Sequence, residues 1–279
     1  MHSCPFKGVL AGISDKDGWV PPHDRNVIPE IINKRAARLI VAVQKTMSKK
    51  AVIVVTGYND TFYPDGAKTG LFYSEGLHPF EVLTGAGYEV TVASENGKVG
   101  LDEHSLSPQF LNEKEMAIYK DPNSAFNVAL KNVKKTSELD PKEYTIFYAA
   151  GGHGTVFDFE TGAGIQKLGE GIYSNGGVLA AVCHGPMALA GMKGANGEPL
   201  IKGKKVAGFM DEGEEIMGLS DMLKKKNLGF VKGSVEGSGA IFQAPEDPWA
   251  DFSVVDGKIV TGTNPASATS VAKKALELV

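Results

Sequence analysis

The sequence has little cysteine, no long apolar run and no apolar stretch of the kind that a secretory signal needs. Its 279 residues include only two cysteines, Cys4 and Cys183, which cannot form a disulfide framework and are typical of a reducing compartment. The longest aliphatic runs have about five residues, whereas a membrane-spanning helix needs roughly 20. The first residues lack an apolar signal segment and carry acidic residues that transit peptides avoid. We therefore expect a cytoplasmic protein with no membrane partner.

A basic surface is also missing from most of the chain. Residues 1–50 carry nine Lys and Arg against four Asp and Glu, and the remainder carries 20 against 29. Because affinity for nucleic-acid phosphates needs a basic face, we expect no nucleic-acid partner. The nucleotide-binding patterns G-x-G-x-x-G and G-x-x-x-x-G-K-[ST] are absent as well, which disfavours a nucleotide cofactor.

The chain divides into an irregular first segment and a regular remainder. Residues 1–46 contain scattered Gly and Pro and little periodicity, apart from an amphipathic helix predicted over residues 30–45. We interpret residues 1–46 as an N-terminal extension and residues 47–279 as a single domain. The sequence leaves open whether the extension is a flexible arm, a docking segment or an upstream-start artefact.

From residue 51 onward, short β-branched runs alternate with helical segments. The predicted strands are residues 51–56, 89–93, 144–149, 177–182, 205–208 and 258–261. The predicted helices are residues 74–86, 124–134, 162–174, 186–192, 214–226 and 266–278. This alternation predicts an α/β fold, a flavodoxin-like three-layer sandwich whose mainly parallel sheet has helices on both faces. Residues 97–121 fit it poorly and look inserted. Ligands of such sheets bind beyond the carboxyl ends of the strands.

The strongest local signal is the segment Ala-Ala-Val-Cys-His-Gly-Pro at residues 180–186, where a predicted strand turns into a helix. Such a turn resembles a nucleophile elbow, which lifts the side chain of Cys183 above the sheet. The positive end of the following helix favours a thiolate, so we expect a lowered pKa for Cys183. Most free cysteines are merely small buried hydrophobes. The position of this one favours a nucleophile.

Histidine and carboxylate side chains lie near this turn in sequence. His184 is a candidate general base, which a third group would have to orient. The segment Asp-Glu-Gly-Glu-Glu at residues 211–215 follows a predicted strand, and one of its carboxylates could hold the imidazole. The same carboxylates could instead cap a helix. Residue types alone leave both readings open.

Glycine-rich and acidic positions complete the candidate site. Gly152, His153 and Gly185 are candidate substrate-binding or oxyanion-binding residues, because glycines after strands let backbone amides approach a ligand. Glu75 opens a predicted helix. It is either a solvated helix-end residue or, near Cys183, a carboxyl group of raised pKa that moves a proton. His78 and its surroundings are too sparse for a metal site, and we expect no metal.

Five separated blocks carry a family resemblance. They are Tyr-Asn-Asp-Thr-Phe-Tyr-Pro-Asp-Gly-Ala-Lys-Thr-Gly at 58–70, Glu-Gly-Leu-His-Pro-Phe at 75–80, Gly-His-Gly-Thr-Val-Phe-Asp at 152–158, Ala-Val-Cys-His-Gly-Pro at 181–186 and Gly-Thr-Asn-Pro-Ala-Ser-Ala at 262–268. Together they resemble the glutathione-independent glyoxalase III enzymes, which are also described as fungal heat-shock chaperones. These enzymes form a PfpI-type branch of the class I glutamine amidotransferase-like superfamily. The resemblance starts near residue 48.

The resemblance implies a catalytic role for several residues. Cys183 is the implied nucleophile, His184 its partner and Glu214 the triad acid, with Glu215 as a one-residue alternative. Glu75 is the implied buried glutamate that hydrogen-bonds the cysteine sulfur. The backbone amides of Gly152 and His184 are the implied oxyanion donors.

The resemblance also implies a reaction and its partners. A lyase of this kind converts methylglyoxal to lactate and glyoxal to glycolate, with no external cofactor and a small dicarbonyl substrate. The alternatives are a stress-induced holdase chaperone that binds unfolded proteins, or a protein deglycase that acts on glycated proteins. The implied fold also supports a peptidase or an amidotransferase. A thiolate of low pKa at Cys183 would also suit a redox sensor, since thiolates are readily oxidised. Members of this fold often dimerise, so a homodimer is a further expectation.

Overall fold

A seven-stranded sheet forms the centre of this computed structural model, which describes residues 49–279. The nine strands of that range are β1 (Lys50–Val54), β2 (Glu89–Ser94), β3 (Lys134–Lys135), β4 (Tyr144–Ala149), β5 (Val178–Val182), β6 (Lys205–Ala207), β7 (Ile241–Gln243), β8 (Ser253–Asp256) and β9 (Ile259–Gly262). The sheet order is β3-β2-β1-β4-β5-β9-β8, and only β8 and β9 pair antiparallel. Strands β6 and β7 form a separate parallel pair. The predicted extension over residues 1–46, with its helix, lies outside the described residues.

Helices surround this sheet. They are α1 (Tyr73–Gly85), α2 (Glu113–Lys120), α3 (Ala125–Lys131), α4 (Ala163–Ser174), α5 (Pro186–Ala190), α6 (Asp211–Ile216), α7 (Ser220–Lys225), α8 (Val231–Gly237) and α9 (Ala268–Glu277). Helix α9 contacts α1, β5 and β9, whereas α4 contacts β4 and β5. No helix within residues 49–279 is long and apolar enough to cross a bilayer.

The central strands are buried because their residues are apolar without alternation. All five residues of β5 are buried, as are the last four of β1 and of β4. A parallel strand that is covered on both faces needs such a continuous apolar run, since it has no solvent-facing side. The predicted α/β class and the mainly parallel sheet are therefore confirmed.

Several sequence predictions need correction in detail. The strand predicted at 205–208 forms as β6, but it pairs with β7 outside the main sheet. The helix predicted over 214–226 is two helices, α6 and α7, because Gly218 between them adopts a φ of +71°, which helical backbone does not allow. Strands β3, β7 and β8 and helices α2 and α8 were not predicted. Helix α2 lies in the segment 97–121 that looked inserted.

The topology brings three strand ends together. Strands β1, β4 and β5 are neighbours and run parallel, so their carboxyl ends lie at one edge of the sheet. The residues that follow them there are Val55, Ala150 and Cys183. The candidate site is built on this edge.

Candidate active site

Cys183 occupies a strained turn between β5 and α5. Its φ of 59° lies in the left-handed region, which costs a non-glycine residue about 1–3 kcal/mol and often marks a functional position. The turn is tight, because the Gly185 N–H donates to the Val182 carbonyl at 2.7 Å. A Cβ on Gly185 would lie 2.2 Å from the Ala149 carbonyl oxygen, so only glycine fits there. The predicted nucleophile elbow is present in this geometry.

The same hydrogen bond corrects the prediction for Gly185. Its amide serves the turn and is therefore not a free oxyanion donor. Gly185 thus acts by letting the turn pack against β4. Sequence spacing could not distinguish an amide that faces the ligand from one that closes the turn.

His184 connects the cysteine to Glu214. Its Nδ1 lies 3.3 Å from the Cys183 Sγ, and its Nε2 lies 2.8 Å from Glu214 Oε1. Since the ionised carboxylate only accepts, the His184 Nε2 carries a proton and its Nδ1 presents a lone pair to the thiol. Burial, followed by the charge of His153, lowers the pKa of His184. The geometry therefore suits a neutral base next to a thiol.

Helix α6 decides which of two adjacent glutamates reaches the imidazole. Glu214 is buried and faces His184, whereas Glu215 is exposed. Gly213 lets the helix approach Phe209, since a Cβ there would lie 2.8 Å from its ring. Burial raises the pKa of Glu214, but the charge of His153 and the bonds from His153 and His184 outweigh it and hold the pKa well below its usual range. Glu214 is therefore the carboxylate that the structure places at the histidine.

Glu75 lies at the start of α1 with no solvent exposure. Neither carboxyl oxygen has a hydrogen-bond partner of normal geometry among residues 49–279. Burial raises the pKa of Glu75 to about 8, against the smaller opposing effects of the Cys183 thiol and the Gly151 amide. Glu75 is thus protonated at neutral pH. The solvated alternative for this residue is excluded.

The expected low pKa of the cysteine is wrong. Cys183 is only 4% exposed, and burial raises the pKa of its thiol well above the usual value. The Gly152 amide opposes this effect by its hydrogen bond to the sulfur. Helix α5, with five residues, is too short for its dipole to outweigh desolvation. The resting group is therefore a thiol that needs a base.

His153 has a place that the sequence did not indicate. Its Nε2 lies 3.0 Å from Glu214 Oε2, and its Nδ1 lies 3.1 Å from the Tyr63 hydroxyl. Both ring nitrogens therefore have hydrogen-bond partners, and the substrate-binding or oxyanion-binding role of His153 remains a prediction. The Tyr63 hydroxyl donates to Asp102 at 2.6 Å. Sequence reasoning missed Tyr63 and Asp102, although Tyr63 lies within the conspicuous block at 58–70.

Gly152 has a backbone that requires glycine. Its φ is +104°, and a Cβ would lie 2.2 Å from the Gly70 carbonyl oxygen. This conformation turns its amide toward the sulfur of Cys183. An amide in that position is able to donate to an oxygen on a carbon bonded to the sulfur. The oxyanion roles of the Gly152 and His184 amides remain predictions.

A cavity of about 870 Å³ opens onto Cys183 and is mostly apolar. Its wall includes the side chains Phe72, Phe110, Phe209, Met217 and Trp249. Trp249 is 44% exposed at its rim, and the Phe209 ring lies between Trp249 and the imidazole of His184. Such a mixture of apolar wall and few polar groups is typical of a small-molecule site.

One group of side chains among the described residues has the spacing of metal ligands. His153, His184 and Glu214 bring their donor atoms within 4.8 Å of one another. These atoms already hydrogen-bond one another at 2.8 and 3.0 Å, so the group is satisfied as a hydrogen-bonded network. His78 contacts Glu115 at 2.6 Å.

Comparison with known proteins finds a matching family model and relatives with similar sequences. Residues 69–278 match the family model described as the DJ-1/PfpI family. "Glyoxalase 3" of Candida albicans is 51% identical over 225 residues, which are 80% of this chain and 95% of the relative. "Glutathione-independent glyoxalase HSP31" of Saccharomyces cerevisiae is 46% identical over 230 residues, 82% of this chain and 97% of the relative.

Solved structures agree with this result. The crystal structure of glyoxalase III from Candida albicans superposes with a TM-score of 0.81 at 49% identity, and the match covers 83% of this chain and 97% of that one. A 24 kDa rapid encystment protein from Francisella tularensis superposes with a TM-score of 0.73 at 30% identity, over 82% of this chain and 98% of that one. From the family model and these relatives, the chain belongs to the DJ-1/PfpI family.

Proposed function

We propose that this chain is a glutathione-independent glyoxalase that converts methylglyoxal to lactate and glyoxal to glycolate. The observation that carries the proposal is the Cys183 thiol, which lines the cavity and lies 3.3 Å from Nδ1 of the His184 imidazole. A protein thiol in this position can take the place that a glutathione thiol would otherwise have. The names of the relatives support the same reaction.

The first step is activation and addition. His184 Nδ1 takes the proton of the Cys183 thiol, and the sulfur forms a bond to the aldehyde carbon of the dicarbonyl. The aldehyde oxygen gains the displaced electron pair, and the backbone amides of Gly152 and His184 stabilise that charge. The His184 imidazolium then gives its Nδ1 proton to this oxygen, which produces a hemithioacetal and returns His184 to its neutral form. Protonated Glu75 beside the sulfur stabilises the thiolate before it attacks.

The second step moves a hydrogen within the bound substrate. His184, with Glu75 as relay, removes the proton from the former aldehyde carbon and passes it to the oxygen of the adjacent carbonyl group, which gives an enediol. The hydroxyl proton of the first carbon then moves to the adjacent carbon, so that the first carbon is oxidised and the second is reduced with no external oxidant. The product of this step is a thioester on Cys183. Water attacks the thioester, releases the 2-hydroxy acid and restores the thiol.

The cavity favours a second candidate function at the same cysteine, protein deglycation. At about 870 Å³ it is far larger than methylglyoxal requires, and its rim carries the exposed aromatic side chains Trp249 and Phe110. An adduct of methylglyoxal with a protein side chain could reach Cys183 through this opening. We propose such glycated proteins as additional substrates.

We also propose that the protein is located in the cytoplasm and forms a homodimer. Analytical ultracentrifugation tests the homodimer by measuring the mass of the protein in solution.

The test is production of lactate from methylglyoxal without glutathione. Wild type, Cys183→Ala and Cys4→Ala are assayed side by side, with Cys4→Ala as the matched thiol control. The proposal requires lactate from wild type and Cys4→Ala and none from Cys183→Ala. Equal lactate production by Cys183→Ala would overturn it. Suppression of aggregation of an unfolded client by both wild type and Cys183→Ala, without lactate from either, would point to the holdase alternative.

A further inference from the structure

We propose that His153 is a positioning residue that Tyr63 and Glu214 hold as an imidazolium cation. Its charge keeps Glu214 ionised and His184 neutral, with the His184 lone pair directed at the thiol. The charge state follows from hydrogen bonds in the structure, whereas its catalytic consequence rests on the proposed function.

A continuous chain of hydrogen bonds carries the proposal. It runs from Asp102 to the Tyr63 hydroxyl at 2.6 Å, from Tyr63 to His153 Nδ1 at 3.1 Å, and from His153 Nε2 to Glu214 at 3.0 Å. The other oxygen of Glu214 then bonds His184 at 2.8 Å. One carboxylate therefore serves two imidazoles. Only one of these faces the thiol.

The hydrogen bonds at Asp102 determine whether one ring nitrogen of His153, Nδ1, carries a proton. Asp102 has no solvent exposure, and it accepts from the Tyr63 hydroxyl, the Thr69 hydroxyl and the Ser105 amide. Burial and the charge of Asp102 raise the pKa of Tyr63, so this hydroxyl keeps its proton. That single proton is donated to Asp102 in the short 2.6 Å bond. The contact between Tyr63 and His153 Nδ1 therefore needs a proton on His153.

The hydrogen bond to Glu214 determines whether the second ring nitrogen of His153, Nε2, carries a proton. Glu214 is a carboxylate and has no proton to donate, so His153 Nε2 must carry the proton of its 3.0 Å bond. Both nitrogens of His153 are then N–H donors, which is the definition of the cation. His184 differs because its Nδ1 faces a thiol that can donate to it.

The groups around the His153 ring also favour a positive charge on it. The groups that face the His153 ring are Glu214, His184, Tyr63 and the apolar rings of Phe62 and Phe209, with His104, itself bonded to Asp65, against the far side of Tyr63. A neutral His153 would leave two buried carboxylates, Glu214 and Asp102, with no cation between them. Uncompensated buried charges are strongly unfavourable.

The cation has a consequence for the catalytic base. The His153 and His184 rings are 4.3 Å apart, so a charge on the first disfavours a charge on the second. With neutral His153, the Glu214 carboxylate would favour a proton on His184, which could then no longer accept one from Cys183. The side chain of His153 hydrogen-bonds Tyr63 and Glu214, so it acts on the thiol through Glu214 and His184.

The charge itself is tested by ¹⁵N NMR of the wild-type protein with labelled histidine. At neutral pH the proposal expects two protonated nitrogens for His153 and one for His184. Assignment uses His153→Gln and the matched variant His78→Gln, a histidine that also pairs with a carboxylate, Glu115, but lies outside the network. A His153 with one protonated nitrogen would overturn the proposal. This readout needs no glyoxalase activity.

The consequence is tested by the pH dependence of Cys183 alkylation with iodoacetamide and of kcat/KM for methylglyoxal. In His153→Gln the acid limb of both profiles should move about one pH unit upward, because His184 keeps its proton to higher pH. Tyr63→Phe removes the hydroxyl that accepts the His153 Nδ1 proton, so it should also move the acid limb of both profiles upward. Acid limbs equal to those of wild type and His78→Gln in both folded variants would contradict the positioning role. If only the kcat/KM arm lacks signal, the proposed reaction fails and the alkylation arm still decides this inference.

Discussion

The Glu75 carboxyl group fills the space that a side chain on Gly151 would need. A Cβ built on Gly151 would lie 2.4 Å from Glu75 Oε2. The buried acid and the glycine after β4 are therefore matched to each other. This contact keeps the acid against the Cys183 thiol, and it lets the strand end pass close to the elbow.

The first prediction concerns Gly151→Ala. The added methyl group would also lie 2.8 Å from both the Cys183 Cβ and the Val182 carbonyl oxygen, so the elbow itself must shift. We expect a loss of about 1–3 kcal/mol in the free energy of unfolding, measured by urea denaturation, together with loss of lactate formation. The matched control is Gly233→Ala in α8, where a Cβ meets nothing within 4 Å. A Gly151→Ala protein as stable and active as this control would contradict the matched packing.

The second prediction concerns stability and pH at Glu75. Its pKa in the folded protein, about 8, is above its value of 4.5 in the unfolded chain. The folded state therefore binds the proton more tightly, and the stability that this contributes is present below pH 4.5 and is lost as pH rises toward about 8. Relative to Glu75→Gln, the free energy of unfolding of wild type should fall by up to about 1.4 kcal/mol per pH unit in this window.

The measurement is the free energy of unfolding of both proteins at several pH values. Glu81→Gln, on the same helix but partly exposed and paired with Lys114, serves as the control and should show no such slope against wild type. A constant difference between wild type and Glu75→Gln across the window would show that the buried carboxyl group is not held neutral.

The third prediction separates the two adjacent glutamates. Glu214→Gln removes the carboxylate that fixes the His184 tautomer, so we expect kcat for lactate formation to fall by about 10³–10⁴-fold. Glu215→Gln changes an exposed side chain and should stay within about twofold of wild type. Steady-state kinetics on the two folded variants decides this. Equal losses in both, or a loss in Glu215→Gln alone, would reject Glu214 as the triad acid.

The fourth prediction concerns the rim of the cavity. Trp249→Ala removes exposed aromatic surface next to Phe209, and about 1 kcal/mol of apolar contact with a bulky 2-oxoaldehyde would raise KM roughly fivefold. The KM for methylglyoxal should change much less, because that substrate reaches less of the wall. Ile241→Ala, 51% exposed and outside the cavity lining, is the control. An equal KM change for the small and the bulky substrate would argue against a binding role for the rim.

Local pattern was enough to predict the elbow and the central strands. The run before Cys183 is continuously apolar and ends at Gly-Pro, so strand, turn and helix start are all visible in a few residues. The partners of His153 were not visible in this way. Tyr63 and Asp102 are distant in sequence, and only the packing of two loops brings them to one histidine.

Burial was the other quantity that sequence could not supply. The helix start after Cys183 predicted a lowered pKa for its thiol, but burial of the thiol reverses the direction. The same burial explains why Glu75 is a neutral acid at neutral pH and not a solvated helix-end residue. Electrostatic environment depends on what packs around a group, which residue spacing does not determine.

The covalent intermediate on Cys183 can be trapped in the first turnovers. Protein mixed with methylglyoxal is quenched in acid and mapped by peptide mass spectrometry. We expect a methylglyoxal-derived mass increase on the peptide that contains Cys183, absent from Cys183→Ser and retained in Cys4→Ala. An unmodified Cys183 in a protein that nevertheless forms lactate would exclude covalent catalysis by this cysteine.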